Sequence, residues 1–195
     1  MTKFLKTLAT AILFAVISSA GYAATLTIES GQLTGATGVD VSGTLYDVTF
    51  EDGTCGDVFD SCELDKFLFP TLAGATAAAD ALIDQVFLDS GPGMLFDTDP
   101  ELTSGCSSTI VCYASVPYNL SQFSVFDVRV FNFYHQGPPN FRASGGSWTF
   151  DTDFTIRPEN TWAVFAPAGA QVPLPAPILL LLGGLVGLGA LRQKA

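Results

Sequence analysis

From Ile178 to Leu191 the chain is apolar without interruption, and the run closes on Arg192, Gln193 and Lys194. A segment of this kind is expected to hold the protein at a membrane, its basic end on the cytoplasmic side. As a helix it rises only about 21 Å, against roughly 30 Å of bilayer hydrocarbon, so it suits a temporary anchor better than a permanent one. Whatever folds in water must lie upstream of it.

The other end carries a second hydrophobic segment. Lys3 and Lys6 precede an apolar stretch from Leu8 to Ile17, and Ser18 to Ala23 is rich in small residues. That is the pattern of a cleaved secretory signal, with the cut expected after Ala23. The domain organisation follows: signal 1–23, a secreted β-rich domain 24–165, a Pro/Ala linker 166–177, a hydrophobic helix 178–191 and a basic end 192–195. The central segment has the usual size of one domain and is long enough to bury a core.

Charge and cysteine usage agree with export. Four of the eight basic residues sit in the two ends, leaving Lys66, Arg129, Arg142 and Arg157 against nineteen acids, roughly −15 for the mature domain. Such a surface repels phosphates, so nucleic acid is not an expected partner. The four cysteines form two local pairs, Cys55 with Cys62 and Cys106 with Cys112. In an exported chain these read most simply as disulfides, although four cysteines allow three connectivities. A zinc site is the rival reading. The spacings do not match zinc-ligand spacing, and the only histidine, His135, is remote.

Immediately before the hydrophobic helix stands Val172-Pro173-Leu174-Pro175-Ala176. The order of proline motif, helix and basic end resembles the PEP-CTERM class of bacterial sorting signals, most closely its VPLPA variant. In the commoner pattern Pro-Glu-Pro stands where this chain has Pro173-Leu174-Pro175. The resemblance covers about an eighth of the chain. It implies an exosortase-type membrane enzyme as partner, a transient stay in the inner membrane, and transfer to the cell surface or outside. It also implies association with extracellular polysaccharide.

Within the domain, alternation predicts strands at Thr25–Glu29, Thr44–Phe50 and Trp148–Ile156; further strands are expected at Thr109–Val116, at Trp162–Phe165 and at Gln122–Tyr134, a long apolar run with aromatics on both faces that reads as a central strand covered on two sides. Gly31–Gly38 reads as a Gly/Thr loop, Thr54–Asp65 as a surface loop, and Ser144-Gly145-Gly146 as a turn. Between Ala73 and Leu88 the period changes: Ala75, Ala78, Ala79, Leu82, Ile83 and Val86 share one helical face, with Asp80 and Asp84 opposite. The expected fold is mainly β (α+β), an antiparallel β-sandwich or jelly-roll-like domain with one inserted amphipathic helix.

Catalytic chemistry is hard to place. His135 lies in a Gly/Pro turn with no nucleophile signature beside it, and the acids are too dispersed to single out a glycosidase pair. No phosphate loop, HExxH helix or EF-hand loop is present. The expectation is a protein that is not an enzyme and has no cofactor. Calcium is the one ligand to weigh, because Asp97, Asp99 and Glu101 bring three carboxylates into five residues. Two function classes remain: a sorted surface or matrix protein, and a glycan-binding or glycan-active β-domain on a plain anchor. Exposed aromatic side chains would favour the second, and Tyr113, Tyr118, Tyr134 and Trp162 are the residues whose placement decides it.

Overall fold

A computed structural model describes residues 23–91, 93–134 and 140–169. The signal segment before Ala23, His135, the VPLPA motif, the hydrophobic helix and the basic end all lie outside the described residues. Nine strands occur within them: β1 Thr25–Glu29, β2 Gln32–Val41, β3 Thr44–Glu51, β4 Asp89–Gly91, β5 Met94–Leu95, β6 Val111–Leu120, β7 Ser124–Phe133, β8 Phe141–Thr149 and β9 Asn160–Pro167. A short helix α1 spans Cys55–Val58 and the main helix α2 spans Leu72–Gln85, with 3-10 turns at 64–66, 100–102 and 154–156.

Seven strands form one mixed sheet in the order β1-β2-β3-β9-β6-β7-β8, and β4 with β5 makes a small hairpin. The mainly β, α+β class with one inserted amphipathic helix is what the structure shows. Its sandwich-like layering comes from one sheet that bends around α2: the helix touches β2 near one edge and β6, β7 and β8 toward the other. All neighbours are antiparallel except β6 and β9, which run parallel. Two-residue turns close the first two hairpins. Ser30-Gly31 and Ser42-Gly43 both hold positive φ at both positions, the type I′ geometry whose twist matches the flanking strands.

Helix α2 starts at Thr71, whose hydroxyl accepts from the Gly74 amide at 3.1 Å. Its buried residues are Ala75, Ala78, Ala79, Ala81 and Leu82. Alanines let the helix axis come close to the sheet, where Leu33, Val39, Val48, Phe50, Val116, Val128, Val130 and Phe165 complete the main core. The helix ends three residues earlier than the apolar spacing predicts. Val86 and Phe87 both send their amides to the Leu82 carbonyl and turn into the core as connecting chain.

A second, smaller core lies on the opposite face of the sheet. Trp162, Phe154, Phe59, Phe67 and Val125 are buried there, beneath a layer built from the α1 segment and residues 150–157. The α1 region is therefore no mere surface loop. Thr54 and Asp57 form a reciprocal capping box, and Cys55, Phe59 and Cys62 are buried.

Three other expectations are corrected. Residues 31–38 are mostly strand β2, because a glycine-rich stretch is required where the backbones are close: the place of a Cβ on Gly35 is filled by the Val48 carbonyl. Residues 144–146 lie inside β8, where they form a bulge across from Asp127 and Val128. The alternation from Trp148 to Ile156 is broken, since β8 stops at Thr149 and residues 154–156 form a 3-10 turn. Alternation there reflects Trp148, Phe150 and Phe154 entering one core from a bent chain. In addition, β6 runs through Pro117 to Leu120, tolerated by a register irregularity between Pro117 and Asn119.

Candidate functional site: the aromatic and cationic face of β6, β7 and β8

The face of the sheet away from α2 is covered over only part of its length. Where the covering layer ends, cross-strand pairing puts Tyr113 of β6 opposite Phe131 of β7, and Phe131 opposite Phe141 of β8. Cross-strand aromatic pairs of this kind stabilise a sheet face. The rings of Phe131 and Phe141 stack with centroids 4.6 Å apart and planes 11° apart. Phe133 lies 5.8 Å from Phe141 in nearly the same orientation, and Tyr113 meets Phe131 edge-on at 4.8 Å. Because β8 is the sheet's last strand, Phe141 ends the stack and is 44% exposed. Tyr134 and Ile110, joined through the Tyr134 amide and the Ile110 carbonyl, add exposed apolar surface beside it.

Further along the same face the chemistry turns cationic. Asp127 is fully buried and is paired with Arg129, whose Nε donates to Oδ2 at 2.8 Å and Nη2 to Oδ1 at 3.3 Å. Trp148 Nε1 donates to the same Oδ2 at 3.2 Å. The Arg129 guanidinium lies 4.0 Å from the centre of the Trp148 ring, and that of Arg157 lies 5.3 Å from it. Both distances are within the range of a cation–π attraction. Arg157 is exposed and has no ion pair among the described residues, so its charge is presented outward. Ser115 and Asn160 lie on this face as well, and Ser115 Oγ and Asn160 Oδ1 are buried without a hydrogen-bond partner among the described residues.

This arrangement offers stacked rings for the C–H face of a flat ligand, with a guanidinium nearby for an anionic or hydroxylated edge. It has no assembled nucleophile and base among the described residues.

The four aromatic residues left open by the sequence separate cleanly. Trp162 is fully buried, stacked on Phe154 at 4.3 Å, with its Nε1 donating to the Gly53 carbonyl at 3.1 Å. Tyr118 packs against the main core. Tyr113 belongs to the aromatic row, and Tyr134 is exposed at its end. Asp127 and Arg129 were not singled out in the sequence, although their spacing of two within a strand places them on one face.

Cys55 is bonded to Cys62 and Cys106 to Cys112, and the described residues contain no free cysteine. Asp97 accepts from Asn140 Nδ2 at 2.7 Å, while its amide donates to Asp89 Oδ1 at 3.0 Å. Partial burial, and after it the Asp89 charge, hold the Asp97 carboxyl above the usual carboxylate range. Asp99 precedes the 3-10 turn that contains Glu101, and its side chain makes no capping bond. Among the described residues no three of His, Cys, Asp and Glu are grouped to hold a metal ion. Asp80 is paired with Arg142, and Asp153 caps the turn at 154–156 through the Thr155 amide at 2.9 Å. Among the described residues no helix is long and apolar enough to cross a membrane. Comparison with protein-family models, curated proteins and solved structures gives no match to this chain.

Proposed function

We propose that this is an exported, non-enzymatic protein of the cell surface or extracellular matrix. Its precursor is held briefly in the inner membrane and processed at Val172–Ala176 by an exosortase-type enzyme. The observation that carries this reading is the pair of disulfides, Cys55–Cys62 and Cys106–Cys112, in a domain flanked by two targeting segments. Disulfides form and persist in oxidising compartments. Three of the acidic side chains have structural roles: Asp57 and Asp153 cap helical turns and Asp127 is held in an ion pair.

The test is intact-mass analysis of the surface-associated form beside the membrane fraction of a variant with Pro173, Leu174 and Pro175 replaced by alanine. Processing predicts a wild-type mass that ends near Pro177, and full-length variant retained in the inner membrane. A wild-type mass that still includes Ala195 defeats the sorting reading in favour of a plain anchor.

A second reading is favoured by the row of Tyr113, Phe131, Phe133 and Phe141, with Arg157 over Trp148 further along the same face: a glycan-binding domain whose partner is extracellular polysaccharide. Affinity electrophoresis through gels containing neutral or uronate-bearing polysaccharide checks it. Retardation that is lost in Phe141→Ala supports the reading, and equal mobility in every gel removes it.

A further inference from the structure

The last turn of α2 holds a charge with no counterpart. Asp84 is exposed and has no hydrogen-bond or ion-pair partner among the described residues, and the last turn has no basic residue. The carbonyl groups at a helix C-terminus already carry partial negative charge, so a carboxylate there is unfavourable unless a cation lies beside it. Asp84 also lines a surface pocket of about 340 Å³ together with Ala23, Ala24, Leu26, Gln85, Leu88 and Ser90. The pocket wall is thus mostly apolar, with one carboxylate, one side-chain amide and one hydroxyl in it.

The neighbouring strand edge is already occupied. The Gln85 side-chain amide accepts from the Asp40 amide at 2.9 Å and donates to the Asp40 carbonyl at 2.8 Å, as a paired strand would. The β1–β2 ladder begins at Thr25 opposite Thr37, so Gln85 takes the place on β2 that a longer β1 would need. Ala24 is therefore where the sheet's first strand has its last free approach to the pocket.

We propose that this pocket is the binding site for the chain's own mature N-terminus, with the α-ammonium of Ala24 paired to Asp84 and the Ser90 hydroxyl within its reach. The inference rests on the export reading, in which removal of residues 1–23 creates that ammonium group. Cleavage then supplies the cation that the end of α2 lacks, and loss of Ala23 leaves room in the pocket for it. Asp84 is the one ionisable side chain among the lining residues. The flanking carboxylates are engaged elsewhere, Asp40 by the Gly43 amide and Asp89 by the amides of Asp97 and Thr98.

The test uses the exported protein purified from cells, wild type and Asp84→Asn, with intact mass recorded for each. Reductive methylation with ¹³C-formaldehyde labels the terminal amine, whose pKa is then read by NMR titration. An ordinary α-amino group titrates near ~7.7. The wild type is expected roughly half a unit or more above that, and Asp84→Asn at the ordinary value. Because the folded-state pKa is raised, the added stability is present below the unfolded value and lost as pH rises through the folded one. The wild type should therefore melt higher than Asp84→Asn at pH 6, and by about pH 10 the order should reverse, because Asp84 then stands at the helix end without its cation. A chain that begins at Ala24 with the same amine pKa in both proteins overturns the pairing and leaves the export reading intact. A mass that retains residues 1–23 overturns both.

Discussion

Gly146 of β8 pairs with Asp127 of β7, and the space a Cβ would need there is filled by the Asp127–Arg129 ion pair. Arg129 Nε and Nη2 each lie 2.6 Å from that position. The backbone of β8 thus forms one wall of a buried charge site. Gly146→Ala is expected to push the pair out of its geometry and to lower stability by about 2–4 kcal/mol, read from denaturant midpoints. Asp127→Asn should cost a similar amount, since it leaves the Arg129 guanidinium without its counter-charge and replaces one of the two accepting oxygens by an NH2 donor.

Trp162 carries much of the second core. It is fully buried, stacks on Phe154 and meets Phe59 edge-on at 5.6 Å. Trp162→Ala is expected to cost about 3–5 kcal/mol, and Trp162→Phe less, though the Gly53 carbonyl then keeps only the Phe154 amide as donor. Thermal unfolding of the two variants should rank them in that order.

For Asp97 the sign of the pH effect follows from the direction of its shift. Its folded-state pKa is raised, by partial burial and by Asp89, so the protonated form is the one the fold favours. The contribution is fully present below the unfolded value of ~3.9 and is lost as pH rises through the folded one. Asp97→Asn keeps an oxygen for Asn140 and should raise the melting temperature at pH 7, with no gain near pH 3. Calcium bridging Asp89 and Asp97 would relieve the same repulsion. Equal wild-type melting temperatures in millimolar calcium and in chelator would remove calcium from this site.

The two disulfides should not be equivalent. Each closes a loop of fewer than ten residues, for which chain entropy alone gives about 2–3 kcal/mol. Cys55–Cys62 also brackets Phe59, which packs on Trp162 and Phe67. Replacing Cys55 and Cys62 by serine is therefore expected to lower the unfolding midpoint further than the same change at Cys106 and Cys112.

Period and composition made several strands legible: Thr44–Phe50 lies where alternation puts it, and the apolar run Gln122–Tyr134 contains β7, which is covered on both faces over part of its length but stands next to the sheet edge, where the run alone suggests a central strand. The α2 face was equally readable, down to Ala75, Ala78, Ala79 and Leu82. Glycine misled in two places for one reason. Gly35 and Gly146 look like turn chemistry, yet each exists because another group needs the room beside a strand: the Val48 carbonyl at one, an ion pair at the other. Such demands come from residues distant in sequence. The aromatic face was hidden for the same cause, since only cross-strand register joins Tyr113, Phe131 and Phe141.

The position of β9 has a consequence for the order of events in time. This strand is the last of the domain in sequence and the middle one in space, flanked by β3 on one side and β6 on the other. A chain that emerges amino end first, from a ribosome or through a membrane channel, can form β1-β2-β3 and β6-β7-β8 as separate meanders. Nothing in the sheet joins them until residues 160–167 arrive. Cooperative folding is thereby withheld until nearly all of the domain has emerged, which makes completion a late, single step.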